Sequence, residues 1–401
     1  MSRKVVVCNI LFTIGMVLGP LTSHAQSEGG APDPTILAAA AAIHIGEPVI
    51  HENLSIYPLI AASSDKSSRY TPLDTAMDKG KLRVKERASA SVPSLDVKNT
   101  GRQNVFVMAG EIVTGAKQDR MSANDTILPP TAKSVELPVY CVEQGRWQQQ
   151  SRHFSAGKTA GTTMLRKTAA KKGAQGVIWS KVAKKSRDAS VRSDTGTMQA
   201  VYNNRQIKKQ IAAYEKTLLS VAKKDDVVGF IAAVDGNIIS ADLFADNHLM
   251  RALYSKLLKA IAVDAVTSKK SSNVAADKET ARMFFSAAAS GQHKVTPNPG
   301  LGKALLIEAG NDINGTALIH GSLIVHLALF GPDKDSHPRV LPSAASTRPS
   351  HDSESSSVLA TSQQKNDWPQ SVIESDKKPR PKKTNTSRYG EKSSVRHGKQ
   401  K

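Results

Sequence analysis

Cysteine is almost absent from this chain, with 2 residues among 401. Cys8 lies in an apolar run at the amino terminus, so Cys141 is the only cysteine in the rest of the sequence. A single cysteine cannot form an internal disulfide, and it cannot supply the grouped ligands of a zinc site. The fold must therefore be stabilised by its core, and we expect no metal and no other cofactor.

Aromatic residues are also scarce. Tyr, Phe and Trp make up 4% of the chain and are not interleaved with its lysines. A platform for single-stranded nucleic acid needs aromatic rings on which bases stack, so the composition argues against one. The net charge of +20 still favours other polyanions. The alternative interpretation is a solvated face whose charge keeps the protein soluble.

The motifs of several large enzyme classes are missing as well. The sequence has no P-loop, no G-x-S-x-G, no H-E-x-x-H and no dinucleotide-binding fingerprint. After the first apolar run, no stretch approaches the roughly 20 apolar residues of a membrane helix. The sequence therefore specifies no reaction, and it does not indicate an oligomeric state.

The amino-terminal segment has the pattern of a secretory signal peptide. A basic pair precedes the apolar run Val5–Gly19, and Ser23-His24-Ala25 places small residues before a cleavage site. We expect residues 1–25 to be a leader and the protein to be periplasmic or secreted. An uncleaved membrane anchor is the alternative. Residues 26–47 are interpreted as a spacer.

The carboxyl-terminal segment, residues 331–401, is rich in Ser, Pro, Lys, Arg and Gln and poor in large apolar residues. Such a composition cannot offset the entropy cost of ordering, so we predict a disordered basic tail. The tail could hold the protein to a polyanion or to an envelope surface. One functional hypothesis is therefore a structural or interaction protein of the cell envelope.

The segment 48–330 is predicted to be one α+β domain with a mainly antiparallel sheet, because runs of strands alternate with runs of helices. Alternating patterns predict strands over residues 49–60, 82–87, 94–97, 105–108, 111–114, 122–128, 134–142, 227–234, 238–244, 304–308 and 316–330. Helical spacing predicts helices over 71–80 with Thr71 as cap, 204–223, 245–266 and 279–289, while 159–172 and 174–187 fit helix or loop. Asn99-Thr100-Gly101 and Asp235-Gly236 predict hairpin turns, and 148–158 is interpreted as a loop.

Two dense polar clusters, Gly110–Arg120 and Cys141–Trp147, flank strand-like sequence. Strands can bring such loops to one edge, and binding sites concentrate on loops held by a rigid scaffold. Arginines there could grip a phosphate or carboxylate bidentately. We therefore expect a small polar or anionic ligand. Its candidate binding residues are Glu111, Lys117, Gln118, Arg120, Glu143, Gln144, Arg146 and Trp147.

The same clusters offer candidates for catalysis. Cys141 could be a nucleophile, with His320 or His326, both assigned to the last strand, as base. Glu111 and Glu143 could act as a carboxylate pair in a hydrolase or transferase. The opposing interpretation makes Cys141 a buried strand residue. It also makes the charged groups a structural network of Glu111, Lys117, Asp119, Arg120, Glu143 and Arg146.

The pair of motifs resembles a known family. Gly110-Glu111 followed by Gly115-Ala116-Lys117-Gln118, and then Cys141–Trp147, is similar to the ARPP domain, named for its association with ARG and rhodanese-phosphatase-superfamily proteins. The resemblance extends over Pro48–Phe330. It implies a contextual link to ADP-ribose or phosphate-ester metabolism, and hence a substrate of that kind if the domain is an enzyme. It assigns no activity.

Overall fold

The computed structural model describes residues 30–332, apart from 63–68, 88–92, 132, 147, 152, 269–274 and 311. The predicted leader lies outside the described residues, as does the predicted tail from residue 333 onward. Between these segments the chain folds into helices and antiparallel strands, which confirms the α+β prediction.

The elements are numbered in chain order. The strands are β1 Ile43–Ile45, β2 Val49–His51, β3 Leu54–Ala61, β4 Tyr70–Pro72, β5 Leu82–Glu86, β6 Ser94–Asn99, β7 Asn104–Val107, β8 Glu111–Gly115, β9 Arg120–Ser122, β10 Thr126–Leu128, β11 Val135–Cys141, β12 Phe154–Ala160, β13 Val227–Val234, β14 Asn237–Phe244, β15 Gln292–Thr296, β16 Lys303–Ala309, β17 Ile313–His320 and β18 Leu323–Phe330. The helices are α1 Pro34–Ala42, α2 Leu73–Asp78, α3 Thr163–Ala170, α4 Gln175–Asp188, α5 Met198–Asn203, α6 Arg205–Leu218, α7 Asn247–Val266 and α8 Lys278–Ala289. A 3₁₀ turn, Leu219–Lys223, follows α6.

The largest sheet has nine antiparallel strands in the order β1-β3-β13-β14-β18-β17-β16-β15, with β2 also paired to β3. All eight residues of its interior strand β13 are buried. The β13–β14 hairpin turns at Asp235 and Gly236, whose φ angles are 52° and 76°. Two successive positive φ values fit a type I′ turn, which matches the twist of the flanking strands. The predicted turn is confirmed.

A second sheet has six strands in the order β12-β8-β9-β11-β6-β5. Its two edges, β12 and β5, approach each other beside α2, so the sheet curls around its own apolar core. That core includes Val97, Val107, Val113 and Leu137, all buried. Alternation along β11 buries Leu137, Val139 and Cys141, while Val135 on the same face is half-buried. A third, three-stranded sheet has the order β10-β7-β4.

Helix α7 contacts both large sheets, through β13 and β12, and also α6 and β4. It begins at its cap Asp246, whose side chain accepts a hydrogen bond from the Leu249 backbone N–H. The helix predicted over 245–266 is confirmed, and its apolar stripe of Leu249, Leu253, Leu257 and Ile261 is buried. Among the described residues, no helix combines the length and the apolar character needed to cross a membrane.

Four local predictions are wrong. Strands β6 and β7 do not form a hairpin, because β6 pairs with β5 and β11 while β7 pairs with β10 and β4. The Asn99 side chain instead donates hydrogen bonds to the Leu128 and Gln103 carbonyls and so fixes the connection between the two strands. Thr71 does not cap α2, since it belongs to β4 and its hydroxyl contacts Gln103.

The loop expected over 148–158 contains β12, which pairs with β8 and completes the second sheet. The long terminal strand is also divided. Gly321, with a φ of 66°, turns the chain, so His320 lies on β17 and His326 on β18. A left-handed conformation costs glycine little, and this glycine sits at the hairpin tip.

Candidate functional site

The structure brings the two polar clusters together. Strands β8 and β9 are antiparallel neighbours, and β9 pairs with β11 so that Arg120 lies opposite Cys141. The loop after β8 and the segment after β11 therefore leave the sheet side by side. Most of the predicted site residues here are buried and bonded to one another.

Arg146 joins the two clusters. Its Nε donates to Glu143 Oε2 over 2.9 Å, and its Nη1 donates to the Ala116 carbonyl over 2.8 Å. Its Nη2 lies 3.2 Å from Asp119 Oδ1. Arg146, Glu143 and Asp119 are all buried. A guanidinium has five donors in a rigid fork, so this geometry fixes both loops relative to each other.

Asp119 completes this network on the side of α5. Its backbone N–H donates to Glu143, and its Oδ2 accepts a hydrogen bond from the Thr197 hydroxyl over 2.9 Å. Burial, together with the neighbouring Glu143 carboxylate, raises the pKa of Asp119 against the opposing effect of its hydrogen bonds and of Arg146. Two carboxylates thus share one guanidinium, and the interior of the network carries an excess of negative charge.

Arg120 forms a second contact group. Its Nη1 donates to Gln118 Oε1 over 2.9 Å and contacts the Cys141 sulfur, while its Nη2 lies 3.4 Å from Glu86. Burial raises the pKa of the Cys141 thiol to about 11, and the Arg120 charge only partly opposes this. A thiol must be deprotonated to act as a nucleophile, so its surroundings disfavour that role.

Neither proposed histidine base contacts Cys141. His320 Nδ1 lies 2.9 Å from the Tyr70 hydroxyl, and His326 is bound by two aspartates. The two histidines lie on neighbouring strands, not on the single strand expected from the sequence.

Glu111 points away from Glu143 and into a different contact group. Its Oε2 accepts from the Met108 backbone N–H over 2.7 Å, and its Oε1 pairs with the Lys256 ammonium of α7. Lys256 also lies 2.6 Å from Asp74. Burial raises the pKa of Glu111, although Lys256 opposes the shift. The expected Glu111–Glu143 pair therefore belongs to two separate ion-pair groups.

The remaining predicted ligand residues differ in exposure. Gln118 is buried, and its amide donates to the Gln144 carbonyl over 3.3 Å, which adds another link between the loops. The side chain of Lys117 is half-buried, and Gln144 is exposed. Trp147 lies outside the described residues. The solvent side of the joined loops therefore carries Lys117 and Gln144.

A fourth group of charges lies between the sheets. His326 Nδ1 lies 2.8 Å from Asp125 Oδ2, and His326 Nε2 lies 3.1 Å from Asp242 Oδ1. Arg166 of α3 forms a bidentate pair with Asp242, at 3.2 and 2.5 Å. Burial lowers the pKa of His326, but the two aspartates outweigh it and raise the value to about 9. Burial would raise the pKa of Asp242, but Arg166 and His326 lower it to about 2.

Sequence reasoning missed most of this group. The sequence offers His326 as a candidate base, but Asp125 and Arg166 carry no signal of their own. A charged residue inside an apolar strand, as in the β14 and β18 sequences, was the one available sign. Lys256 was missed in the same way, although it interrupts an apolar helix.

Three cavities in the described part of the chain lie elsewhere. One of about 680 Å³ lies between α1 and α8 and includes Leu37, Phe285 and Arg282. Another of about 560 Å³ lies beside Gly30 and Gly291, and one of about 270 Å³ lies beside Tyr214. None of these three reaches the joined loops. Within the same residues, no group of three or more His, Cys, Asp or Glu side chains is placed to hold a metal ion.

Residues 42–330 match the family model of the ARG and Rhodanese-Phosphatase-superfamily-associated Protein domain, ARPP-1. The chain belongs to this family. The match begins at Ala42, the last residue of α1, and ends at the last residue of β18, so the ARPP-1 domain includes all three sheets and both polar clusters. No curated protein and no solved structure matches the chain.

Proposed function

We propose that this ARPP-1 domain is a binding domain for a small polar ligand that carries an anionic, phosphate-like group. The ligand is bound at the solvent side of the two joined loops. The observation that carries the proposal is the position of Arg146, which bonds both loops from within. The loops therefore present Lys117 and Gln144 on a preorganised support.

The charge distribution locates the ligand on the surface of the loops. Glu143 and Asp119 outnumber Arg146 in the buried network, so an anion inside it would meet repulsion and lose its hydration. Lys117 lies on the same loop as Asp119 but is half-exposed, so it can contact a phosphate without burying charge. The exposed Gln144 side chain can donate a second, neutral hydrogen bond.

Binding is favoured over catalysis by the same contacts. Cys141 has a raised pKa, and each of the two glutamates is already bonded to a cation. A hydrolase or transferase acting on an ADP-ribose-like or phosphate-ester substrate remains the alternative hypothesis. The family description, which names a phosphatase superfamily, supports a phosphate-bearing ligand under either hypothesis.

Calorimetric titration of the purified protein with ADP-ribose, nucleotides and sugar phosphates tests the proposal. We expect one class to bind and expect Lys117→Gln to weaken its affinity by about tenfold, which corresponds to about 1.4 kcal/mol. Lys98→Gln is the matched control, because Lys98, on β6 of the six-stranded sheet, is also a half-buried lysine. Its affinity should equal that of the wild type.

Two results would overturn the proposal. One is the absence of binding across the panel, and the other is equal affinity in the Lys117→Gln and wild-type proteins. Turnover of a phosphate ester that is lost in Glu143→Gln or Cys141→Ser would establish the enzymatic alternative instead. We further propose that the domain acts after export, because residues 1–25 have the pattern of a secretory leader. Fractionation of the native host would contradict this if the protein stayed in the cytoplasm.

A further inference from the structure

Helix α6 carries basic residues along its solvent side, three of them in its first turns. Ile207, Ile211, Tyr214 and Leu218 are buried and define its inner face. Arg205, Lys208, Lys209 and Lys216 are exposed and lie on the opposite side by helical spacing, within about 100° of one another. At about 1.5 Å per residue, these four cations follow a line of about 17 Å. They are called the α6 stripe below.

The stripe has no acidic residue among its exposed positions. The acid of this helix, Glu215, lies at the edge of the inner face, where it contacts Ser255 and lies 3.9 Å from Lys259 of α7. The exposed cations of α6 are therefore not neutralised by their own helix. The imbalance extends further, since residues 151–224 contain 17 Lys and Arg and three acids.

The cations lie where they destabilise the helix. Arg205, Lys208 and Lys209 lie in the first turns of α6, which hold no acidic residue. The helix macrodipole is positive at this end and disfavours cations there. Arg205 and Lys209 are also four residues apart, a spacing at which like charges repel. Residues that weaken the local structure without a compensating contact are a sign of function.

The chemistry of the stripe selects one kind of partner. Its other exposed residues are Gln206, Gln210, Ala212 and Ala213, so the face has no aromatic ring for base stacking and no large apolar side chain for membrane insertion. A straight line of cations on a convex helix gives a rigid duplex little surface to contact, whereas a flexible chain can follow it. Glu52, beside Lys209 at the neighbouring cavity, bounds the stripe on one flank.

We propose that the α6 stripe binds a flexible linear polymer of phosphate groups, independently of the joined loops. Recognition is by charge alone, through release of counterions from the polymer. The binding is therefore strongly dependent on salt and insensitive to the chemical identity of the units between the phosphates.

The test compares three full-length proteins for binding of inorganic polyphosphate by calorimetry. One is the wild type, and one carries Arg205→Gln, Lys208→Gln and Lys209→Gln in the stripe. The matched control carries Lys81→Gln, Arg83→Gln and Lys85→Gln, since these residues are also one arginine and two lysines, all exposed, at β5. Both variants lose three charges, and both keep the basic carboxyl-terminal segment.

We expect the stripe variant to bind at least tenfold more weakly than the control at about 100 mM salt. Its slope of log K against log salt should be shallower by about 2, at about 0.7 for each lost phosphate contact of a single chain. Its melting temperature should not fall, because glutamine is a good helix former and the repulsion is removed.

The proposal fails if the two triple variants bind polyphosphate equally well, since net charge would then explain the binding. It also fails if the binding of anionic vesicles or of a duplex oligonucleotide depends on the stripe while the binding of polyphosphate does not. A clear fall in the melting temperature of the stripe variant would refute the argument from helix stability and overturn the proposal.

Discussion

Replacing Arg166 by Met should remove one of the largest single contributions to the stability of this domain. Arg166 and Asp242 form a bidentate ion pair whose side chains are 2% and 0% exposed. Methionine keeps an unbranched apolar stem like that of arginine but lacks the charged guanidinium group. Asp242 would then be a buried carboxylate whose remaining cation is His326.

The structure gives the size of the effect. Removing one partner of a buried ion pair costs about 3–5 kcal/mol, because the other charge stays desolvated. The Arg166 guanidinium also lies over the Phe330 ring, 5.3 Å from its centroid, and loss of this desolvated contact adds about 2 kcal/mol. His326 continues to stabilise Asp242 and offsets part of the total, so we expect a net loss of about 4 kcal/mol.

Urea unfolding followed by far-ultraviolet circular dichroism measures this loss. Lys184→Met is the control, because Lys184 and Asp188 form an ion pair at 2.8 Å with side chains that are 51% and 29% exposed. An exposed pair of this spacing contributes about 0.5 kcal/mol or less. The double variant Arg166→Met/Asp242→Asn should recover part of the loss, since no unpaired charge is buried. A cost for Arg166→Met no greater than that for Lys184→Met would refute the reasoning.

Three further predictions follow from the buried groups. Folding raises the pKa of His326 from 6.5 to about 9, so its stabilising contribution is complete below about pH 6.5 and is lost as the pH rises through 9. His326→Gln should therefore show a flatter stability profile between pH 7 and 9.5 in urea titrations, and an unchanged slope would contradict this. Folding raises the pKa of Glu111, so the ionised carboxylate lowers the stability of the fold at pH values above its unfolded pKa, and Lys256 opposes this effect. Lys256→Met should therefore lower the melting temperature more at pH 8, where Glu111 is more often ionised, than at pH 5. An equal loss at both pH values would argue against this prediction. In a Cys8→Ser background, Cys141 should react with a thiol reagent at least about a hundredfold more slowly in the native than in the urea-unfolded protein, and rapid native labelling would show that the site is open.

The fold was predictable where the information is local. The Asp235-Gly236 turn and the α7 stripe each depend on residues within one or two turns of chain, and both are confirmed. The prediction of a β6–β7 hairpin is wrong because strand pairing is determined by partners that are distant in the sequence. Val97 of β6 pairs with Val135 of β11, and the nearby turn sequence carries no information about that choice.

The candidate site was predictable to a similar extent. The two polar motifs identified Arg146, Glu143 and Asp119, and the register of β9 and β11 brings them together. Their other partners come from far along the chain. Thr197 lies 78 residues from Asp119, and Lys256 lies 145 residues from Glu111. A single sequence offers no way to pair such residues, because neither partner is marked by a local pattern.

The positions of these contacts explain why the ARPP-1 family signature does not reveal an activity. Glu111 links the six-stranded sheet to α7, and Asp242 links the nine-stranded sheet to α3. Gly110 has a φ of 93°, and a Cβ atom there would lie 2.6 Å from Arg166 Cγ, so the motif glycine keeps space for the second of these links. The buried signature residues Gly110 and Glu111 thus help to connect separate layers of the domain. The residues that determine a ligand must then be sought among those that the buried networks leave at the surface, such as Lys117.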